Sequence, residues 1–158
     1  MPRYPNQLRA GGGKGLVFEH RPDLHSVRQA AGKTRSKAVA WMNEDAKTAY
    51  GVYEGPAAGT GAEVGPVYSA GSNGPLAVPT GRVFVRLAEG NRAEEHRAQF
   101  TAAGFDIEQL LSYAPNAAWL RPREGGVAAA LGGLEKLHSL AAVTHVEPQL
   151  LMERALRS

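Results

Sequence analysis

The sequence predicts an α+β protein whose organised part is a β-α-β-β-α-β unit over residues 82–158. Three observations point there. Val83, Val85 and Leu87 alternate with Arg82, Phe84 and Arg86, the period-two pattern of a strand with one apolar face. Two stretches, 91–103 and 127–137, repeat their apolar residues at helical spacing. Extended patterns follow each helix, at Phe105–Leu111 with Ala117–Arg121, and again at Val143–Glu147.

The chain before this unit divides by composition. Residues 1–14 are polar and run into Gly11-Gly12-Gly13, which predicts a flexible arm. Residues 15–54 carry enough apolar side chains for a small N-terminal α/β unit. Leu16–Phe18 reads as a short strand, and Pro22–Ala31 as a helix closed by Gly32. Ala38–Met42 and Thr48–Tyr53, separated by Asn43–Lys47, read as a hairpin; one helix through 36–50 is the alternative, because Ala, Lys, Glu and Met favour helices. Residues 55–81 hold glycine or proline at eleven of twenty-seven positions, so little side chain remains to offset backbone entropy. They are expected to be a linker or long loop.

Within the unit each element has a local reason. Asn91 is a plausible N-cap, and Glu94 and Glu95 in the next turn favour the helix dipole. Ala93, Arg97, Phe100 and Ala103 share a face, and Gly104 supplies the stop. Ala114-Pro-Asn116 reads as the turn between the second and third strands. Pro122–Gly126 breaks the chain before a second helix whose Leu131, Leu134 and Leu137 form one face. Strand Val143–Glu147 closes the unit. Two helices over one face of a four-stranded antiparallel sheet make a ferredoxin-like sandwich, whose other face is left for a partner.

Composition excludes several function classes. There is no cysteine, hence no disulfide, thiol nucleophile or thiolate metal site. Charged residues make up 21%, no apolar run approaches bilayer length, and Met1-Pro-Arg-Tyr-Pro5 lacks a signal-peptide core. A cytoplasmic protein with no membrane partner is the expectation. The formal net charge is +3, and nucleic-acid binding would need that charge gathered on one face.

The order and spacing of Arg82-Val-Phe-Val-Arg-Leu-Ala-Glu-Gly90, the helix closing at Gly104-Phe105, and Ala142-Val-Thr-His-Val-Glu-Pro148 resemble the propeptide, or inhibitor, domain of subtilisin-like serine proteases. The resemblance covers about residues 81–158. It implies a non-enzymatic module that binds a subtilisin-like protease, inhibits it and assists its folding. By the same resemblance the sheet packs on the protease and the tail Glu153, Arg154, Ala155, Leu156, Arg157 and Ser158 enters the active-site cleft like a product. Ser158 then stands at the product-carboxylate position, with Arg157, Leu156 and Ala155 in the neighbouring subsites. The supporting strand carries Val143, His145, Val146, Glu147 and Pro148. Strand addition in the cleft is the physical basis for such binding. The chain departs from the family pattern in lacking a signal sequence before the domain, in having roughly eighty residues there instead, and in lacking Asp-[Ser/Thr]-Gly, His-Gly-Thr and Gly-Thr-Ser-Met-Ala motifs. These departures point to an inhibitor or chaperone acting in trans.

Other candidates have plainer explanations. Gly32-Lys33-Thr34 lacks the upstream glycine of a phosphate loop, since Val27 stands there, and Gly11–Gly15 reads as a tether. His20 and His25 lack a nearby third ligand, and His96, His138 and His145 are dispersed, so no metal or other cofactor is expected. Ser72 lies in the Gly/Pro stretch without a nucleophile elbow. Glu94-Glu95 and Glu44-Asp45 suit capping and turns rather than acid–base chemistry. Trp41, Tyr50 and Tyr53 suit packing more than recognition, and Arg28, Lys33, Arg35 and Lys37 suit a solvated face. Residues 15–54 remain a candidate surface for a second protein partner. The rival function is a structural or assembly protein whose extended arms order on neighbouring subunits. RNA binding on the sheet is disfavoured because strand Arg82–Leu87 offers only Phe84 for stacking.

Overall fold

The computed structural model describes residues 4–10, 16–31, 37–56, 64–71 and 74–152. In chain order the strands are β1 (Gln7–Ala10), β2 (Leu16–His20), β3 (Leu24–Ala30), β4 (Ala40–Asn43), β5 (Thr48–Glu54), β6 (Val64–Gly65), β7 (Tyr68–Ser69) and β8 (Leu76–Leu87). There follow a 3-10 turn (Ala93–His96), α1 (Arg97–Ala102), β9 (Phe105–Leu111), β10 (Ala114–Pro122), α2 (Gly126–Gly132), α3 (Leu134–His138) and β11 (Val143–Met152). The protein is mixed α/β, and its strand pairs among the described residues are antiparallel.

One sheet has seven strands in the order β1-β2-β7-β8-β10-β9, with β11 on the free edge of β8; the other has four, β4-β5-β3-β6. The twelve-residue β8 is the centre of the larger sheet. On one side β11 follows it from Leu87 to Ala77; on the other it pairs with β7 at Leu76–Ala77 and with β10 at Val83–Arg86. The change of partner falls at Gly81, whose φ of 97° suits a residue without Cβ.

Three apolar clusters hold this arrangement. Val83, Val85, Leu87 and Leu120 from the sheet meet Phe100, Phe105 and Leu137 beneath the helices. Leu24, Met42, Tyr50, Val52, Val67 and Val78 pack where β8 meets the four-stranded sheet. Leu8, Phe18, Tyr68 and Ala77 close against Leu131 of α2. Full burial of a Val, Leu or Phe side chain contributes roughly 1.5–3 kcal/mol each, so all three clusters matter for stability.

Several expectations are corrected here. Leu24–Ala30 is a strand, not part of a helix: Leu24 and Ser26 face inward at a period of two, and seven register pairs join β3 to β5. The helix expected over Pro22–Ala31 is overridden by this pairing. Gly51, opposite Val27, leaves room for the side-chain ends of Gln29 and Tyr53, each 2.7 Å from where a Cβ would stand. The linker expectation fails for 64–69 and 76–81, which form β6, β7 and the start of β8. Val67, Tyr68, Ala77 and Val78 are fully buried there despite the local glycine and proline content. The arm expectation fails for 7–10, which pair with β2, and Leu8 is buried. Among the described residues these parts of the two segments pair within their own chain.

Smaller corrections follow. The hairpin of β4 and β5 forms, rather than the alternative helix, and Asp45 Oδ1 accepts 2.8 Å bonds from the Lys47 and Thr48 amides in its turn. The turn after β9 is at Ser112-Tyr113, and Ala114–Asn116 already belongs to β10, where Asn116 donates to the Leu87 carbonyl at 2.8 Å. Asn91 does not cap a helix; its amide donates to the Ala88 carbonyl at 3.0 Å, and Arg92 stands at the cap position. The second helix is split at Gly133, where the ring of Phe105 leaves no room for a side chain. Gly32–Thr34, Gly11–Gly15 and Ser72 lie outside the described residues.

Candidate partner-binding face

The alternation of β8 dictates two faces. Val83, Val85 and Leu87 go under α1–α3, so Arg82, Phe84 and Arg86 stand on the opposite, helix-free side. β10 obeys the same rule: Ala118 and Leu120 are buried, and Trp119 is left half-buried outside. In β11, Val146 points inward and His145 and Glu147 outward. Register then brings these residues together. Trp119 lies opposite Phe84, Phe84 opposite Glu147, and His145 opposite Arg86.

The result is a row of three rings across three strands. Phe84 meets Trp119 edge-on at 5.3 Å between centroids, and meets His145 at 6.2 Å in the same manner. The Arg82 guanidinium lies 4.5 Å from the Trp119 ring centre, and that of Arg86 lies 5.7 Å from Phe84. Arg82 also pairs with Glu108 and donates to Gln109 Oε1 at 3.2 Å, while His145 Nε2 sits 3.1 Å from Glu147 Oε2. The face is therefore aromatic at its centre, with charges that largely neutralise one another around it. Half-buried aromatics beside arginine are the composition of an energetic centre in protein interfaces.

The supporting strand is where the sequence places it, and it runs on to Met152. Pro148, which cannot donate to a ladder, is accommodated because β11 has β8 on one side only. Leu150, Leu151 and Met152 continue along Pro79, Val78 and Ala77, so this last strand is anchored over two apolar clusters. Residues 153–158, the proposed tail, lie outside the described residues.

Trp119 and His145 are the face residues that sequence reasoning missed as a group. Their strands are legible, but their neighbourhood to Phe84 depends on register. Tyr50 and Tyr53 are placed by packing, Tyr50 in the inter-sheet cluster and Tyr53 stacked on His25 at 5.7 Å. The buried hydroxyls of Ser26 and Ser69 donate to the carbonyls of Pro66 and Gly71, so both serve the backbone. Among the described residues no three His, Asp or Glu side chains gather into a metal-sized cluster, and no helix is long and apolar enough to cross a membrane.

No protein-family model matches this chain, and no curated protein or solved structure is detectably similar to it.

Proposed function

We propose that the unit spanning β8 to β11 is a ferredoxin-like sandwich acting as a subtilase-propeptide-like module. It works by binding, without chemistry of its own: it docks on a subtilisin-like serine protease, inhibits it and assists its folding. The observation that carries this reading is the helix-free face of the β11-β8-β10-β9 array, with its Phe84–Trp119–His145 row, beside a last strand that leads directly into residues 153–158. In this reading the face supplies the buried contact, and residues 153–158 enter the cleft by strand addition.

The test is inhibition of a panel of subtilisin-like proteases by the full chain, by a form lacking residues 153–158, and by Trp119→Ala. Tight inhibition by the full chain should vanish on truncation and weaken about tenfold or more in Trp119→Ala, the usual scale of a central interface residue. Absence of inhibition by the full chain, with its fold verified by circular dichroism, refutes the proposal.

One observation favours a second reading. The structure sets three rings and two arginines on the sheet face where the sequence offered Phe84 alone, and such rings stack on the bases of single-stranded RNA. Titration with a short single-stranded oligonucleotide, followed by tryptophan fluorescence in the Trp41→Phe variant so that Trp119 alone reports, separates the readings. Salt-sensitive quenching would favour RNA; unchanged emission would leave the protease reading alone.

A further inference from the structure

A cleft of about 480 Å³ opens where β8 changes partner, and Arg82 borders both it and the aromatic row. Ser26, Arg28, Tyr50 and Glu44 form one wall, contributed by the four-stranded sheet and its β4–β5 turn. Arg121, Arg123, Asp106 and Glu108 form the other, and Pro79–Arg82 the floor. The volume is within the ordinary range of small-ligand sites, roughly 300–1,000 Å³.

Four arginines, Arg28, Arg82, Arg121 and Arg123, thus line one concavity together with three acidic residues, Glu44, Asp106 and Glu108. The balance is one net positive charge, four less three. Two arginines are engaged across the β9–β10 side: Arg82 pairs with Glu108, and Arg123 lies 3.5 Å from Asp106. Arg121, by contrast, has no ion-pair partner among the described residues and lines the same wall, exposed to the cleft. Low-dielectric walls focus such an excess of like charge into a local positive potential. Tyr50 stays neutral in this wall, since burial, and secondly the Glu44 charge, push its hydroxyl up to about 12. One Glu44 oxygen is shut off from solvent without a hydrogen-bond donor, which suits a ligand carrying a hydroxyl beside its anionic group.

We propose that this cleft binds a small, multiply charged oxyanion, held by Arg121 together with Arg28 and Arg123. Guanidinium forks match the oxygens of phosphoryl and carboxylate groups alike. The site does not depend on the protease reading, because neither Arg121 nor Arg28 belongs to the ring row on the sheet face.

The experiment uses the full chain without a partner protein. Pyrophosphate and citrate are titrated separately at low ionic strength, followed by calorimetry and by amide shifts in a proton–nitrogen correlation spectrum. Saturable binding is expected, with shifts concentrated at Gly65, Gly81 and Gly126. Pyrophosphate binding alone assigns the phosphoryl class, and citrate binding alone the carboxylate class. Arg121→Ala, at an exposed position, should weaken binding about tenfold, the worth of a charged hydrogen bond. Arg97→Ala, remote from the cleft on α1, should leave it unchanged. Absence of saturable binding by either anion overturns the proposal. So does equal weakening by the two variants, because that would report only the surface charge of the molecule.

Discussion

Two adjacent glycines should respond in opposite directions to the same substitution. Gly132 ends α2, and a Cβ built on it meets nothing within 4 Å. Gly133 joins α2 to α3 with an ordinary right-handed φ of −96°, so its backbone tolerates alanine. Its Cβ, however, would lie 2.6 Å from Phe105 Cε1, 2.9 Å from Cζ and 3.2 Å from the Ala129 carbonyl oxygen. The ring cannot swing away cheaply, because Phe105 is 1% exposed and packed in the principal core. Gly133→Ala therefore forces a shift of ring or helix, and overpacking of this kind costs about 1–3 kcal/mol. Gly132→Ala only removes backbone freedom, which stabilises a helical position by up to about 1 kcal/mol. For a protein of this length 1 kcal/mol moves the melting temperature roughly 2–4 °C. Urea and thermal denaturation of the two variants should place Gly133→Ala below the parent and Gly132→Ala at or above it. If Gly133→Ala proved as stable as Gly132→Ala, the argument that Phe105 splits the helix would be wrong.

Other consequences can be checked in the same assays. Tyr68→Phe should cost about 1 kcal/mol, because the buried hydroxyl donates to the Pro5 carbonyl at 2.7 Å and so ties the first residues to β7. The pH dependence should expose His20, which sits between Tyr4 and Tyr68 with ring centroids at 5.9 and 5.3 Å. Burial lowers its pKa below the usual 6.5, so the unfolded chain binds the proton more readily. Stability should then fall as pH drops below about 6.5, levelling off beneath the folded pKa. Melting curves between pH 7.5 and 5 should show a smaller drop for His20→Gln than for the parent; equal drops would remove His20 from the account. Asp45→Ala should loosen the β4–β5 turn, since both of its amide bonds depend on one carboxylate oxygen. The Asp45 pKa is lowered chiefly by those amides, from Lys47 and then Thr48. Its contribution is thus present above the unfolded value and lost as acid protonates it, and the variant should have a flatter stability profile below about pH 4.

Much of the C-terminal half was legible from local pattern. Phe105–Leu111 was read with the bounds the structure gives, and the alternation of Arg82–Leu87 predicted which side chains would be buried. Both rest on near-neighbour chemistry: period two separates faces, and Gly104, at φ 95°, ends a helix wherever it occurs. The segments 7–10, 24–30, 64–69 and 76–81 depart from the local pattern for a common reason. Short, glycine-rich or ambiguous pieces acquire structure from partners distant in sequence, as Tyr68 does from Pro5 and Ala77. Ser26 likewise is held by the Pro66 carbonyl, which accepts its hydroxyl from forty residues away.

The candidate sites divide along the same line. By itself the sequence determined that Phe84 shares a face with Arg82 and Arg86, because a strand's pleat follows from its own backbone. Only the tertiary structure decided that Trp119 and His145 stand beside Phe84, since strand register is set by hydrogen bonds between segments tens of residues apart. It also decided that Arg28 and Arg121 line one cleft. That meeting depends on long-range packing, with Val78 of β8 among Leu24, Met42 and Val52 of the four-stranded sheet, and no periodicity within either segment encodes it.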